Sequence, residues 1–400
     1  MPRHVPVILI PLLLLAALPA GATTPRLHAL GSAGDYLEDD ANAARWYGSL
    51  ADFDNAVTVD FGHVNIFKGY HDAEEHTLSG PSLHLRHDLG QKWGQVAAWW
   101  FAREDDAPFT TLYRDYREKS FALQYGRRLG SVQLALHFHN TPRQETVSSS
   151  GAAHTIGTER ALWGLGARFD ISAGAYLDLA ADRRTNRETI TFADPPYADL
   201  GQDLTEDHAH NLRARLFLQL GERTALVPVA EYLSENRPVH KSSEWYIRDI
   251  DGDLLRLSCG LEFFPDTDRL LLAAAEWTHG SAHYAADFPY QDREWTENWN
   301  SYALQLGWEN RYLPWLSWRG AVGYRLTRGD GYPPAWEDLL GDGYDYDLLW
   351  YTLGGGVHLG GWDLDAALSS EEPRPVSGDY QWTRVRYDHT WLSVSLRYSY

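Results

Sequence analysis

Charged residues alternate with apolar residues in several segments of the 400-residue chain. Arg213 and Arg215, for example, alternate with Leu212, Ala214 and Leu216. A guanidinium facing lipid is costly, so this pattern places the charges on the wet face of a sheet. Charged groups around one interior can select solutes, or pair with each other; both interpretations stay open. The candidate lumen-lining residues are Arg168, Arg213, Arg215, Arg256, Glu262, Glu309, Arg319 and Arg325.

Catalytic chemistry finds weaker support. His137, His139 and Asn140 could form half of a hydrolytic site, but such a site needs a serine beside the histidine. No serine in a recognisable motif accompanies them, and with 17 histidines a chance pair is expected. Phosphate-loop, dinucleotide and zinc signatures are missing from the sequence. We therefore predict no enzymatic activity, no cofactor and no bound metal.

Two acidic segments contain oxygen ligands that could hold calcium. They are Asp249, Asp251 and Asp253 around Gly252, and the stretch 327–347. Neither has the spacing of a known calcium loop, so solvated acidic loops are the favoured interpretation.

The elements that position these residues are β-strands, because alternation with a period of two is typical of a half-buried strand. Each segment has about ten residues, the length of a tilted membrane strand. The connections alternate between short and long. We predict an all-β fold, a transmembrane antiparallel up-and-down β-barrel of about sixteen strands, with fourteen as the alternative. The predicted strands are 54–66, 80–87, 93–103, 118–127, 130–139, 160–170, 173–181, 208–219, 222–233, 253–264, 268–278, 299–310, 314–326, 346–358, 361–369 and 389–400.

The last strand alternates up to the final residue of the chain. Its apolar and aromatic set alternates with Ser393, Ser395, Arg397 and Ser399. This ending resembles the C-terminal strand by which bacterial outer-membrane β-barrels are recognised for assembly. The resemblance implies an outer-membrane location, with outer-membrane lipid and the barrel-assembly machinery as partners. The residues that carry it are Leu392, Val394, Leu396, Tyr398 and Tyr400.

The first 22 residues have the pattern of a cleaved secretory signal peptide. Val5 to Leu18 is apolar, and Ala20-Gly21-Ala22 offers a cleavage site of small residues. The single Cys259 excludes an internal disulfide framework. The net charge of −20 argues against nucleic acid as a partner. We predict a signal peptide at 1–22, a hatch or plug segment at 23–53 and the barrel at 54–400.

Residues 23–53 lack strand alternation. The stretches 29–34, 38–42 and 46–51 resemble the N-terminal region of FadL and PorV-like outer-membrane transport proteins. That resemblance implies a hatch folded into the barrel, and FadL-like uptake of hydrophobic compounds. A periplasmic tail outside the barrel is the alternative. The candidate hatch residues are Gly31, Gly34, Asp39, Asp40, Trp46 and Tyr47.

These observations predict a porin-like outer-membrane channel or transporter. It would pass small or hydrophobic solutes, whose identity the sequence does not give, through a partly plugged barrel. A scaffold, an adhesin or a secretion-system component is the alternative. Gly354–Gly356 could form a weak point in the wall, or could pack closely against a bulky neighbour.

Overall fold

The computed structural model describes residues 23–31, 33–67, 81–108, 112–149, 152–192, 202–238, 246–288, 291–330, 343–375 and 389–400. The signal peptide at 1–22 therefore lies outside the described residues. In this part of the chain, no helix is long and apolar enough to cross a membrane.

The described residues form a closed antiparallel barrel of sixteen strands in chain order, with β1 paired to β16. The predicted fold class is confirmed, and each of the sixteen predicted segments overlaps a different strand, with starts that differ by one or more residues in most of them. The strands are β1 (Ala56–Phe67), β2 (Ser82–Asp88), β3 (Gln95–Pro108), β4 (Leu112–Leu129), β5 (Val132–Ser149), β6 (Ala152–Ser172), β7 (Ala175–Phe192), β8 (Gln202–Gly221), β9 (Thr224–Pro238), β10 (Tyr246–Asp266), β11 (Arg269–Phe288), β12 (Gln291–Leu313), β13 (Leu316–Asp330), β14 (Gly343–Leu359), β15 (Trp362–Pro375) and β16 (His389–Ser399).

One end of the barrel carries tight turns, and most strands extend beyond their predicted bounds at the other. Gly130 and Gly174 make two of these turns with φ of 66° and 89°, which glycine adopts without strain. At the opposite end β12 begins at Gln291, eight residues before its prediction. Backbone pairing continues there past the apolar alternation, so the hydrophobic pattern does not mark where the strand begins.

The two faces of the wall have opposite polarity. Leu304 and Leu306 point outward and are 66% and 59% exposed, whereas Ser301 and Arg319 point inward and are buried. In a soluble protein the apolar side chains lie inside and the polar ones outside. The opposite arrangement seen here suits a wall with hydrocarbon outside and polar groups inside.

The wall is continuous at the triple glycine. Gly354 to Gly356 pair in unbroken register with β13 and β15. A Cβ at Gly354 would lie 2.5 Å from the Ala29 Cβ. The described structure therefore shows no gap in the wall at these glycines, and the missing side chain of Gly354 lets Ala29 approach the wall closely.

Candidate functional site in the barrel lumen

Residues 23–53, the plug segment, lie inside the barrel near its tight-turn end. They form a helix, α1 (Thr24–Ala29), and three 3-10 helices at Ala33–Asp35, Asp40–Ala44 and Tyr47–Asp52. The Thr23 hydroxyl caps α1 by accepting from the Arg26 amide at 3.4 Å, and donates to Asp365 of β15 at 2.8 Å. The tie to Asp365 fixes the start of the plug segment to the wall.

An apolar cluster fills the space between the plug segment and one side of the wall. Leu30 and Trp46 are fully buried and pack with Val227 of β9 and Leu272 of β11. The guanidinium of Arg215 lies over the Trp46 ring, 4.8 Å from its centroid. This contact combines burial with a cation–π interaction.

The inward apolar residues of this cluster were not predicted from the sequence. Leu270, Leu271 and Leu272 are consecutive, which indicates a strand apolar on both faces. Such a run close to a tight turn was the available signal that something apolar lies inside.

Arg26 of α1 joins the plug segment to β12. Its guanidinium donates to Glu309 at 2.7 and 3.0 Å and to Asp39 of the plug segment at 2.9 Å. Arg319 of β13 also donates to Glu309, at 3.1 Å, and to Asp365. Two wall carboxylates therefore bind both a wall residue and the plug segment.

Asp35 anchors the plug segment to β10. It forms ion pairs with Arg45 at 2.5 Å and with Arg256 at 2.6 Å. Burial alone would raise the pKa of Asp35, but the guanidiniums of Arg45 and Arg256 outweigh burial and hold it below its usual range. Arg45 and Arg256 also reach Glu231 of β9, at 2.9 and 2.7 Å. The resulting cluster alternates in charge between plug segment and wall.

Asp178 of β7 is the centre of a third cluster. It is 1% exposed and accepts from Arg168 at 2.7 and 2.9 Å and from Arg215 at 2.6 and 3.1 Å. Arg168 then donates to Asp52 of the plug segment at 2.6 Å, and to Glu38. Neighbouring guanidiniums share one buried carboxylate, so their remaining donors are directed to the plug segment.

Tyr47 packs the plug segment against β5, β7 and β8. Its hydroxyl donates to Asp182 and lies 3.4 Å from an Arg213 nitrogen. Its ring stacks on His137 with 4.6 Å between centroids and 8° between planes. Burial and the neighbouring carboxylate of Asp182 raise the pKa of Tyr47 above its usual value, so the hydroxyl stays protonated as a donor.

The eight predicted lumen residues all point inward. Arg168, Arg213, Arg215, Arg256, Glu309 and Arg319 belong to the clusters described above. Glu262 is buried below the plug segment on β10. Arg325 lies above the clusters, 3.4 Å from Glu276 of β11.

The predicted hatch residues lie within the plug segment. Gly31 takes a φ of 74° at the end of α1 and faces Gln305 of β12. Gly34 packs on the Asn42 side chain. Asp39 is buried against Arg26. The side chain of Asp40 lies outside the described residues.

The C-terminal set lies on the outer face of β16. Val394 and Leu396 alternate with the buried Ser395 and Arg397, and Tyr400 is 57% exposed. Strand β16 pairs with both β1 and β15, so it completes the barrel.

Hydrogen bonds or ion pairs join the described plug residues to at least eleven strands, namely β3 to β10, β12, β14 and β15. Some bind its backbone directly: Thr352 donates to the Ala29 carbonyl at 2.7 Å, and Gln305 to that of Leu30 at 2.6 Å. The segment therefore contacts strands around most of the circumference of the wall instead of resting on one side.

The structure places a serine beside the histidine pair. Ser120 of β4 bonds to the Nε2 atom of His139, and the Thr141 hydroxyl lies 3.0 Å from the same atom. The two hydroxyls are 2.8 Å apart. Ser120 belongs to no recognisable sequence motif; it lies on the neighbouring strand, where sequence spacing gives no signal of this contact.

Metal ligands do not cluster in the described part of the chain: no group of three or more His, Cys, Asp or Glu residues there could hold a metal ion. Of the two acidic segments, Asp249 to Asp253 lies within β10, and residues 331–342 of the other lie outside the described residues.

No protein-family model matches the chain, and no curated protein does. Among solved structures, it is similar to CdiB from Acinetobacter baumannii, with 13% identity and a TM-score of 0.48 over 87% of this chain and 60% of that one. The chain thus spans less than two thirds of the length of CdiB. The CymD monoaromatic hydrocarbon channel matches with 9% identity and a TM-score of 0.48 over 96% and 99% of the two chains. The alcaligin outer-membrane receptor FauA from Bordetella pertussis matches with 10% identity and a TM-score of 0.45 over 86% and 76%.

Proposed function

We propose that the protein is an outer-membrane channel or transporter whose lumen is closed by the plug segment and opens when that segment moves. The observation that carries this proposal is the ring of plug-to-wall bonds on at least eleven strands. A barrel of sixteen strands is otherwise wide enough for an aqueous channel.

The membrane location is supported by the outer face of the barrel. Large apolar side chains such as Leu165, Trp163 and Trp318 are about 60% exposed there, and a soluble protein rarely exposes apolar surface over such an area. Outer-membrane lipid and the barrel-assembly machinery are therefore the partners that we propose.

The half of the lumen above the plug segment is mixed in character. Trp99, Trp299 and Trp350 point inward there, and Trp350 lies 5.9 Å from the Arg325 guanidinium. Aromatic rings beside charges suit small amphiphilic solutes, consistent with the FadL-like uptake implied by the N-terminal resemblance. The solute itself stays open.

We propose transport and no hydrolysis. Ser120, Thr141 and His139 form a closed triangle of hydrogen bonds. In that arrangement the histidine nitrogen contacts the hydroxyls of both Ser120 and Thr141, and we propose that the triangle joins β4 and β5 as a structural contact.

A disulfide between plug segment and wall tests the proposal. An ideal Cβ at Gly126 of β4 would lie 3.3 Å from the Leu50 Cβ, close to the range for a disulfide. The variant L50C/G126C is made in a C259S background to remove the native thiol. Urea is added to a planar bilayer until the reduced form conducts, which marks release of the plug segment. At that lowest urea concentration, we expect the oxidised form to show no conductance.

The matched control links two wall strands. Ala135 of β5 lies 3.6 Å from the same Gly126 position, so G126C/A135C uses the same cysteine without holding the plug segment. Its oxidation should leave conductance unchanged. Equal conductance of the oxidised and reduced L50C/G126C protein would overturn the proposal. Silence of both forms, with folding verified, would favour a scaffold, adhesin or secretion-system role.

A further inference from the structure

A hollow on the outer face of the barrel gathers positive charge. It has a volume of about 700 Å³ and crosses β4, β5, β6 and β7 near their long-connection ends. Its floor is Gly157, where an added Cβ would meet no atom nearer than the Thr189 carbonyl oxygen at 3.9 Å. Its charged lining residues are Arg117, Lys119, Arg143, Glu159 and Arg187.

The hollow lies just beyond the apolar band of the barrel. On β4 the outward residues Leu123 and Phe121 are 48% and 42% exposed. Lys119 and Arg117 are the next outward positions. For a strand tilted by about 40°, they lie about 5 and 10 Å further from the membrane centre than Phe121 does. Because they lie beyond the exposed apolar residues of the same strand, we place Lys119 and Arg117 at the level of the lipid headgroups.

The charge of the hollow is opposite to that of the whole chain. Arg143 has the same parity on β5 as the inward Thr141, so its side chain points into the lumen. The outward Arg117, Lys119 and Arg187 with the carboxylate of Glu159 give the hollow a formal charge of +2, whereas the chain carries −20. Three strands from β7, the outward positions just beyond Leu255 of β10 are Asp253 and Asp251, both exposed. The positive charge of the hollow therefore does not extend to β10.

We propose that this hollow binds a phosphorylated lipid of the outer leaflet, with the phosphate between Arg117, Lys119 and Arg187 and the acyl chains along the apolar face below. The lining cations match a phosphate in charge, and arginine donors match it in geometry. Leu123, Phe138 and Trp163 form one cross-strand row below the hollow and offer the acyl chains a continuous apolar surface. The site rests on the proposed membrane location and not on the plug segment.

Native mass spectrometry of the refolded mature protein, released from zwitterionic micelles, tests the site. The probe is diphosphorylated lipid A, compared with the same lipid after removal of both phosphates. We expect retention of the phosphorylated form, and an affinity weakened by at least about tenfold in R117Q/K119Q/R187Q, which removes several charge-assisted hydrogen bonds.

The control variant R127Q/R223Q/R269Q removes three exposed cations from the tight-turn end, and should bind lipid A like the unmodified protein. Equal losses in the two variants would show attraction without a site. Equal retention of the two lipids, or full displacement by excess inorganic phosphate, would also overturn the proposal. If the protein inserts into bilayers but fails these tests, only the lipid site is overturned, because the tests do not measure channel closure. If the protein does not insert, the proposed membrane location is overturned as well.

Discussion

At the scale of single residues, Asp178 compensates the charge of two buried arginines. It is the shared acceptor of Arg168 and Arg215, all three being at most 2% exposed. Asp178→Asn leaves two buried guanidiniums with a neutral partner. Removing one member of a buried charge cluster costs about 3–5 kcal/mol, and we expect the free energy of unfolding to fall by that amount in urea titrations followed by tryptophan fluorescence.

The matched control for that change is an exposed ion pair. Arg269 and Asp266 lie 3.3 Å apart, with side chains 61% and 45% exposed. Asp266→Asn should cost less than about 1 kcal/mol. If the two substitutions cost the same, the buried cluster does not stabilise the protein in the way that its geometry indicates.

The orientation of such residues could be predicted, but their partners could not. Alternation along one strand places Arg168 and Glu309 inside, since a charge facing lipid is costly. The partner of Glu309 is Arg26, 283 residues away in sequence, and no local pattern links them. Ser120 was missed beside His139 for the same reason: cross-strand register decides that contact.

At the scale of elements, the 3-10 helix Tyr47–Asp52 rests directly on the backbone of β6. A Cβ at Gly166 would lie 2.5 Å from the Tyr47 Cβ and 2.6 Å from the Gly48 nitrogen. Gly166→Val should therefore weaken docking of the plug segment by about 1–3 kcal/mol, the usual cost of overpacking. That corresponds to a roughly 5- to 150-fold larger undocked fraction, seen as more frequent openings in a planar bilayer.

Gly157→Val on the same strand is the control, because its Cβ enters open space on the outer face. It should open no more often than the unmodified protein. Unchanged silence of Gly166→Val, with the barrel folded, would mean that the plug segment tolerates a shift of this helix.

Strand existence was predictable and strand ends were not. The period-two pattern identified all sixteen strands because lipid and lumen impose opposite polarity on successive residues. Beyond the apolar band that constraint ends, and β6 continues to Ala152, eight residues before the prediction. The plug segment has no such period; its three 3-10 helices follow the shape of the wall around them.

At the scale of the whole molecule, the plug segment carries a net negative charge, and arginines of the wall bind its carboxylates. Residues 23–53 contain five acidic residues and two arginines, a formal charge of −3. Cations of the wall form ion pairs with these acidic residues: Arg128 and Arg168 bind Asp52, and Arg256 binds Asp35. Removing the plug segment would therefore make the lumen more positive by three formal charges.

Deleting residues 23–53 should consequently open the barrel and leave Arg128, Arg168 and Arg256 without their carboxylate partners in the plug segment. Rings of fixed charge set the selectivity of a pore, so we expect steady conductance with a preference for chloride over potassium, measured as the reversal potential in a salt gradient. Arg256→Gln in the deletion background should reduce that preference, because it removes one uncompensated cation. A cation-selective deletion variant would show that the wall carboxylates, freed from Arg26 and Arg45, dominate the open lumen instead.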